Sequence, residues 1–282
     1  MIHFALPDAP YRYDLNNFMF SLVKAHPEFF KTNISFYASK CSIPYLTWGG
    51  GVATNVGPGM YYDDLQAFQK VSALPMHVNL SNVLLEDYDY DDCLGQQVLS
   101  SFNNGSNVLE ISSIPFMEKI VRDYPYYRFI FSAQADLITN FTPELLNTIS
   151  SEGKFLYISL PTRVNKDIEF LSQLKSKHLY EITVNPKCLC ECADVCTLKL
   201  HQNQLDFVRQ SHVDTCSKTC LKPMISIEDI QNTYSKMGFT HFTFVSDITM
   251  TIDEALYQYL DYFIIDEYRA ITEHFWRQGR VD

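Results

Sequence analysis

The chain has 282 residues, 46% of them hydrophobic, with a formal net charge of −11 and a pI near 5.1. That length and composition can bury one large core, so a single domain is the simplest expectation. The acidic balance argues against nonspecific binding to nucleic-acid backbones, which depends on clustered Lys and Arg. Direct RNA binding is therefore only weakly expected.

The first residues carry no signal for export or membrane insertion. The stretch 1–15 lacks a basic region followed by an apolar run of signal-peptide length, and no segment offers about 18 consecutive apolar residues. We therefore expect a cytoplasmic protein without a membrane span. Thiols stay reduced in that compartment, so a dense group of cysteines there more often binds metal than forms disulfides.

Short runs rich in β-branched and aromatic residues recur along the chain, as expected of β-strands. Eight such runs occur, at residues 2–6, 34–39, 76–81, 108–113, 128–133, 155–160, 180–185 and 241–246. Segments with apolar residues at helical spacing lie between many of them, at 114–124, 142–153, 165–177 and 226–238.

This alternation predicts the fold class. Alternating strands and helices favour parallel pairing, and eight repeats favour a closed (β/α)8 barrel of the TIM type, with an open doubly wound sheet as the alternative. We assign residues 1–282 to one such α/β barrel domain, with a cysteine-rich insertion at 186–224 after a late strand. Residues 252–278 are predicted as a C-terminal helix whose apolar stripe packs on the barrel.

Six of the eight cysteines fall between Cys188 and Cys220, directly after the seventh predicted strand, with the spacing C-x-C-x-C-x3-C-x19-C-x3-C. Cysteines two residues apart cannot all reach one metal comfortably, so four of the six are expected to ligate one centre, the C-x3-C pair of Cys216 and Cys220 among them. A cubane [4Fe–4S] cluster takes four thiolates, whereas structural zinc more often uses paired knuckles across a short loop. The pattern favours the iron–sulfur cluster, with zinc as the alternative, and leaves the ligand register open at Cys190 and Cys192.

Polar residues near the carboxyl ends of the strands are candidates for chemistry, because barrel active sites lie at that end. His77 and Glu110 alternate with apolar neighbours and are therefore expected to face the lumen. A buried carboxylate is costly without a partner, which makes Glu110 a functional candidate. Asn185 closes the seventh strand three residues before the first of the clustered cysteines. We predict that Glu110, His77 and Asn185 orient a substrate, and satisfied polar groups of the core are the alternative.

The stretch from the end of the seventh strand through "CTLKLHQN" (196–203) and "DTCSKTC" (214–220) to the helix and strand at 225–245 resembles the peptidase U32-like proteins. The resemblance implies a (β/α)8 barrel with a [4Fe–4S] cluster, in a family linked to oxygen-independent hydroxylation of RNA bases or ubiquinone precursors. It also implies the ligand set, with Cys41 in reserve because some relatives draw one ligand from the N-terminal third. Carried over residue by residue, the ligands would be Cys188, Cys196, Cys216 and Cys220.

Two classes of function follow from these features. The first is an enzyme in which the cluster lies beside a barrel cavity and assists a hydroxylation-type modification of a small molecule or nucleotide. The second is a non-catalytic barrel that uses its metal as a staple and acts as a subunit bound to a partner protein. Hydrolysis by a U32-type peptidase is a further alternative, although the sequence shows no nucleophile–base motif.

Overall fold

The computed structural model describes residues 1–7, 9–43, 46, 48–49, 67, 70–71, 73–82, 85–133, 140–185, 224–244 and 250–279. Parallel strands close into a barrel in which each strand pairs with the next along the chain and the last pairs with the first. The strands are β1 (Ile2–Leu6), β2 (Ile34–Cys41), β3 (Met76–Leu80), β4 (Val108–Ile111), β5 (Arg128–Ser132), β6 (Tyr157–Ser159), β7 (Tyr180–Thr183) and β8 (His241–Thr243). All eight predicted strands are present, so the predicted (β/α)8 barrel is confirmed and the open sheet is excluded.

Helices cover the outside of the barrel. They are α1 (Ala9–Ala25), α2 (Cys93–Phe102), α3 (Ile114–Asp123), α4 (Pro143–Ser151), α5 (Ile168–Gln173), α6 (Ile227–Asp229 and Ser235–Met237 around a π-helical turn at Ile230–Tyr234), α7 (Ile252–Phe263) and α8 (Arg269–Gln278). Short 3-10 turns occupy Pro27–Phe29, Asp87–Asp91, Thr162–Val164, Lys177–Leu179 and Asp266–Tyr268. Within these ranges no helix combines the length and apolarity that a membrane crossing requires.

The main core lies between the strands and the helices. The outward residues Phe131, Ile158 and Phe242 belong to a buried apolar cluster that also contains Leu15 of α1 and Leu256 of α7. Because side chains alternate across a strand, the sequence neighbours of these residues point into the lumen. The alternation therefore separates an apolar outer layer from the inner face that carries the polar residues.

The pairing of β1 with β2 contains an irregularity that decides which residues of β2 face inward. Phe4 pairs with Phe36, but Ala5 pairs with Ala38, so Tyr37 is one extra residue on the β2 side. The alternation of β2 changes phase at this point, because an extra residue re-aims the side chains that follow it. Lys40 consequently points into the lumen, whereas Cys41 is buried in the apolar cluster on the helix side.

The C-terminal segment, predicted as one helix over 252–278, is divided into α7 and α8. Ile264 adopts an extended conformation and forms an antiparallel bridge with Phe30. The amide of Ile265 donates to the carbonyl of Phe29 at 2.9 Å, and the amide of Lys31 donates to that of Phe263 at 2.8 Å. This tertiary pairing takes the backbone groups that a continuous helix would have used, so it ends α7.

Candidate functional site

The amino-terminal half of the lumen is filled by aromatic rings. Tyr37 lies within this group, with its ring centroid 5.1 Å from that of His241, 5.8 Å from Tyr157 and 5.4 Å from His77. His3 stacks on His241 with a centroid separation of 5.0 Å. Burial, with the nearby His3 as a second cause, lowers the pKa of His241 to about 4, so the ring is neutral at physiological pH. The packed rings close the amino-terminal end of the lumen.

An ion-pair network crosses the lumen above these rings. The ammonium of Lys40 on β2 donates to Glu110 Oε2 on β4 at 2.9 Å and to Glu181 Oε2 on β7 at 2.7 Å. The hydroxyl of Tyr37 donates to the second oxygen of Glu181 at 2.6 Å. The side chains of Lys40, Glu110 and Glu181 are 15%, 8% and 0% exposed, respectively. One cation therefore joins strands on three sides of the barrel in a largely water-free setting.

The protonation states of the network follow from these contacts. Burial alone would lower the pKa of Lys40, but the charges of Glu110 and Glu181 and the hydrogen bonds to them outweigh burial and raise it. Burial, followed by the charge of Glu181, raises the pKa of Tyr37 well above its usual value. Lys40 is thus charged and Tyr37 is a neutral donor at physiological pH. Two buried carboxylates thus face one buried ammonium.

His77 lies beside this network, paired in register with Lys40 across β2 and β3. The side chain is buried, and its Nδ1 has no hydrogen-bond partner within the described part of the chain. Burial and then the positive charge of Lys40 lower the pKa of His77 well below its usual value. The ring is therefore neutral and can accept or donate a hydrogen bond according to its tautomer.

The cysteine-rich insertion leaves and rejoins the barrel at its carboxyl-terminal rim. Asn185 follows β7 directly, and the next described residue is Met224. The amide of Ile225 donates to the carbonyl of Val184 at 2.8 Å, and the hydroxyl of Tyr262 on α7 donates to the carbonyl of Ile225 at 2.9 Å. Both ends of the segment 186–223 are thus fixed at one point of the rim, at the end of the barrel where (β/α)8 enzymes place their active sites.

The residues predicted from the sequence fall into three groups. Glu110 and His77 lie in the lumen as expected, on adjacent strands, and Asn185 lies at the rim. Cys41, the reserve ligand, is buried in apolar surroundings on the opposite face of β2 from Lys40. The predicted ligands and their alternates lie outside the described residues, namely Cys188, Cys190, Cys192, Cys196, Cys216 and Cys220. Among the residues that are described, no group of three His, Cys, Asp or Glu side chains could hold a metal ion.

Sequence reasoning missed Lys40, Glu181 and Tyr37. Glu181 could have been found, because it lies between the apolar positions Tyr180 and Ile182 as Glu110 lies between Leu109 and Ile111. Lys40 could not, because simple alternation along β2 assigns the inward position to its neighbour and the register shift is a tertiary feature.

The chain matches no protein-family model and no curated protein sequence. Among solved structures it is similar to the U32 peptidase Mk0906, with 9% identity and a TM-score of 0.49 over 88% of this chain and 93% of that one. It is similar to a xylose isomerase domain-containing protein of Salmonella typhimurium LT2, with 12% identity and a TM-score of 0.49 over 92% and 95% of the chains. The tryptophan synthase A-subunit of Pyrococcus furiosus shows 11% identity and a TM-score of 0.40 over 99% and 95%. The fold assignment rests on the strand pairing of this chain itself.

Proposed function

We propose that the chain is an iron–sulfur barrel enzyme that assists an oxygen-independent, hydroxylation-type modification of a small molecule or nucleotide. The observation that carries this proposal is the anchoring of the cysteine-rich segment. Six cysteines lie in a segment whose two ends meet at the Val184–Ile225 hydrogen bond on the carboxyl-terminal rim. Four thiolates suit a [4Fe–4S] cluster, and Cys188, Cys196, Cys216 and Cys220 are the proposed ligands. When bound, such a cluster supplies a redox centre.

The described residues would prepare a substrate below that rim. Glu110 is held in place by Lys40, so its carboxylate can accept a hydrogen bond from a substrate without moving. His77 is kept neutral by burial and offers a ring nitrogen in the same lumen. Asn185 stands where β7 meets the cysteine-rich segment and would contact a substrate held between the lumen and the cluster. These three groups would position the substrate.

A second candidate is a non-catalytic barrel that uses its metal as a staple and binds a partner protein. The Lys40 network favours it, because the carboxylates of Glu110 and Glu181 already serve to join strands across the barrel. Peptidase activity receives less support. Within the described residues the Ser–His pair at hydrogen-bonding distance, Ser35 and His3 at 2.5 Å, lies at the amino-terminal end of the lumen, opposite the rim.

The first test is metal analysis of anaerobically purified protein. We expect brown protein with about four irons per chain and the absorbance of a cubane cluster. Cys196→Ser, Cys216→Ser and Cys220→Ser should each lose the iron, because a missing thiolate opens a coordination site. Cys93→Ser is the matched control, since this thiol is exposed at the start of α2 and lies outside residues 186–223 in the sequence. Stoichiometric zinc without iron would contradict the proposed cofactor.

The second test separates the enzyme from the staple. Metabolite and RNA-nucleoside profiles are compared between cells that lack the gene and cells that carry wild-type, Glu110→Gln or Glu169→Gln protein, the last being an exposed control on α5. An enzyme should lose the modification in Glu110→Gln while keeping its iron and its fold. Full complementation by the Glu110→Gln, His77→Ala double variant would favour the non-catalytic reading.

A further inference from the structure

The upper lumen, near the carboxyl-terminal rim, has an unusual lining on one side. Four consecutive strands, β5 to β8, place small hydroxyl-bearing residues at inward positions, and these are Ser132, Ser159, Thr183 and Thr243. Ser132 pairs in register with Ser159, and Thr183 pairs with Thr243. The lumen of a (β/α)8 barrel is ordinarily filled by bulky branched side chains such as Val, Ile and Leu. Half of the wall at this level is therefore polar and short.

The size of the side chains changes along the barrel axis. Tyr37, Tyr157 and His241 pack ring against ring at the amino-terminal end. Hydroxymethyl and hydroxyethyl groups fill much less of the lumen than such rings or branched aliphatic chains do. The described lumen is therefore filled by rings at its amino-terminal end and lined by short side chains toward the rim.

Two of the four hydroxyls also lack a hydrogen-bond partner among the described residues. Ser132 and Thr183 are fully buried, and neither Ser132 Oγ nor Thr183 Oγ1 has a hydrogen-bond partner within the described part of the chain. Among the described residues, the Thr243 hydroxyl reaches the carbonyl of Phe244, at 3.4 Å. Buried hydroxyls are normally hydrogen-bonded, since leaving one unsatisfied is destabilising. Two such hydroxyls on one wall of one lumen could each form a hydrogen bond with a ligand.

The neighbouring charges limit what that ligand can be. Of the buried charged groups, Glu110 and Glu181 outnumber Lys40, and the lumen histidines are neutral. Arg128, whose charge also acts on His77, is exposed at the end of β5 away from Ser132, so the buried surroundings of the hydroxyls carry excess negative charge. An anion entering this weakly solvated region would be repelled, and a cation would have to compete with Lys40, which already donates to both carboxylates. We propose that the β5–β8 wall of the upper lumen is a binding site for a small uncharged polar molecule, held by the hydroxyls of Ser132 and Thr183. This site deepens the proposed function, on which it rests, because it names the substrate as uncharged rather than phosphorylated or carboxylated.

The test uses two probes of the same shape, acetamide and acetate. The threonine methyl groups are labelled with carbon-13 in the full chain, and the methyl signals of Thr183 and Thr243 are followed during titration with each probe. Acetamide should shift both signals saturably, and acetate should not. Ser132→Ala and Thr183→Val should each raise the dissociation constant of acetamide by about two- to tenfold, as expected for one lost hydrogen bond. For Thr183→Val, binding is followed through the Thr243 methyl signal.

The control is Thr272→Val on α8, outside the barrel lumen, which removes another buried hydroxyl without a hydrogen-bond partner in the described ranges. It should leave acetamide binding unchanged. Equal binding of acetate and acetamide would overturn the assignment of an uncharged ligand, and unshifted Thr183 and Thr243 signals would overturn the site. Iron is measured in the same samples, so the two proposals can fail separately. If the protein contains iron but does not bind acetamide, the result counts against this site alone. If the purified protein binds acetamide but contains no iron, the result counts against the proposed cofactor.

Discussion

Replacing Lys40 by methionine should destabilise the barrel strongly. Methionine keeps most of the apolar stem but removes the ammonium that lies 2.9 Å from Glu110 and 2.7 Å from Glu181. The two carboxylates are almost completely buried, and Glu181 would keep only the hydrogen bond from Tyr37 among its described partners. Removing one partner of a buried ion pair typically costs about 3–5 kcal/mol. Against a total free energy of unfolding of about 5–15 kcal/mol, that loss is large.

The loss should depend on pH in a defined direction. Without Lys40, burial disfavours the charged form of both carboxyl groups, and no ammonium offsets that cost. A group whose pKa is raised by folding stabilises the fold at low pH and loses that contribution as pH rises through the folded value. The difference in unfolding free energy between wild type and Lys40→Met should therefore be small near pH 5 and reach its full size near pH 8.

Urea denaturation followed by circular dichroism measures both effects. Lys119→Met is the matched control, because the Lys119 ammonium lies 2.7 Å from Asp87 Oδ1 and that carboxylate is 99% exposed. Exposed pairs contribute about 0–1 kcal/mol, so the control should lose little at any pH. Adding Glu110→Gln and Glu181→Gln to Lys40→Met should recover much of the stability. If Lys40→Met is no more costly than Lys119→Met, the inference of a buried network in the lumen is wrong.

Three further outcomes are expected. The pKa of His241 is lowered to about 4, so the free energy of unfolding should fall as pH drops from about 6.5 toward 4. In urea titrations, His241→Phe should reduce the loss of unfolding free energy between pH 7 and pH 5 by about 2 kcal/mol. An unchanged pH profile would refute the burial of a neutral His241. A Cβ on Gly95 would collide with the Trp48 ring, so Gly95→Ala should lower the unfolding free energy by about 1–3 kcal/mol, and a neutral effect on the melting temperature would contradict that packing. Asn16 is buried, accepts from the hydroxyl of Tyr259 at 3.0 Å, and donates from its amide to two oxygens. Asn16→Leu should therefore lower the free energy of unfolding, measured by calorimetry, by about 2–4 kcal/mol. A loss smaller than that of an exposed substitution would count against these hydrogen bonds.

The sequence predicted the barrel because each strand carries a local signal. Runs such as residues 128–133 and 241–246 are short and apolar and are separated by helical patterns, and the observed strands fall within or close to the predicted bounds. Parallel pairing of consecutive strands then follows from connection length and handedness. Local pattern and tertiary structure agree at these positions, which is why the fold class was predictable.

The candidate site was only partly predictable. Glu110 and His77 were placed in the lumen by alternation, and the structure has both there. Lys40, the partner of Glu110, was not placed there, because the extra residue at Tyr37 changes which side chains of β2 face inward. Nothing local in the sequence marks that shift. The break at Ile264 was missed for a related reason, since it depends on pairing with Phe30, a residue far away in sequence.

The hydrogen bond between Val184 and Ile225 joins the two ends of the cysteine-rich segment at the barrel. Because β7 and α6 are held together at that bond, the intervening stretch is a closed excursion of roughly 40 residues, whose closure entropy exceeds that of a ten-residue connection by only about 1.2 kcal/mol. A Gly-Ser bridge in its place should therefore leave a folded barrel. If that variant folds, the barrel does not depend on residues 186–223, and any metal that those residues bind is not needed for folding.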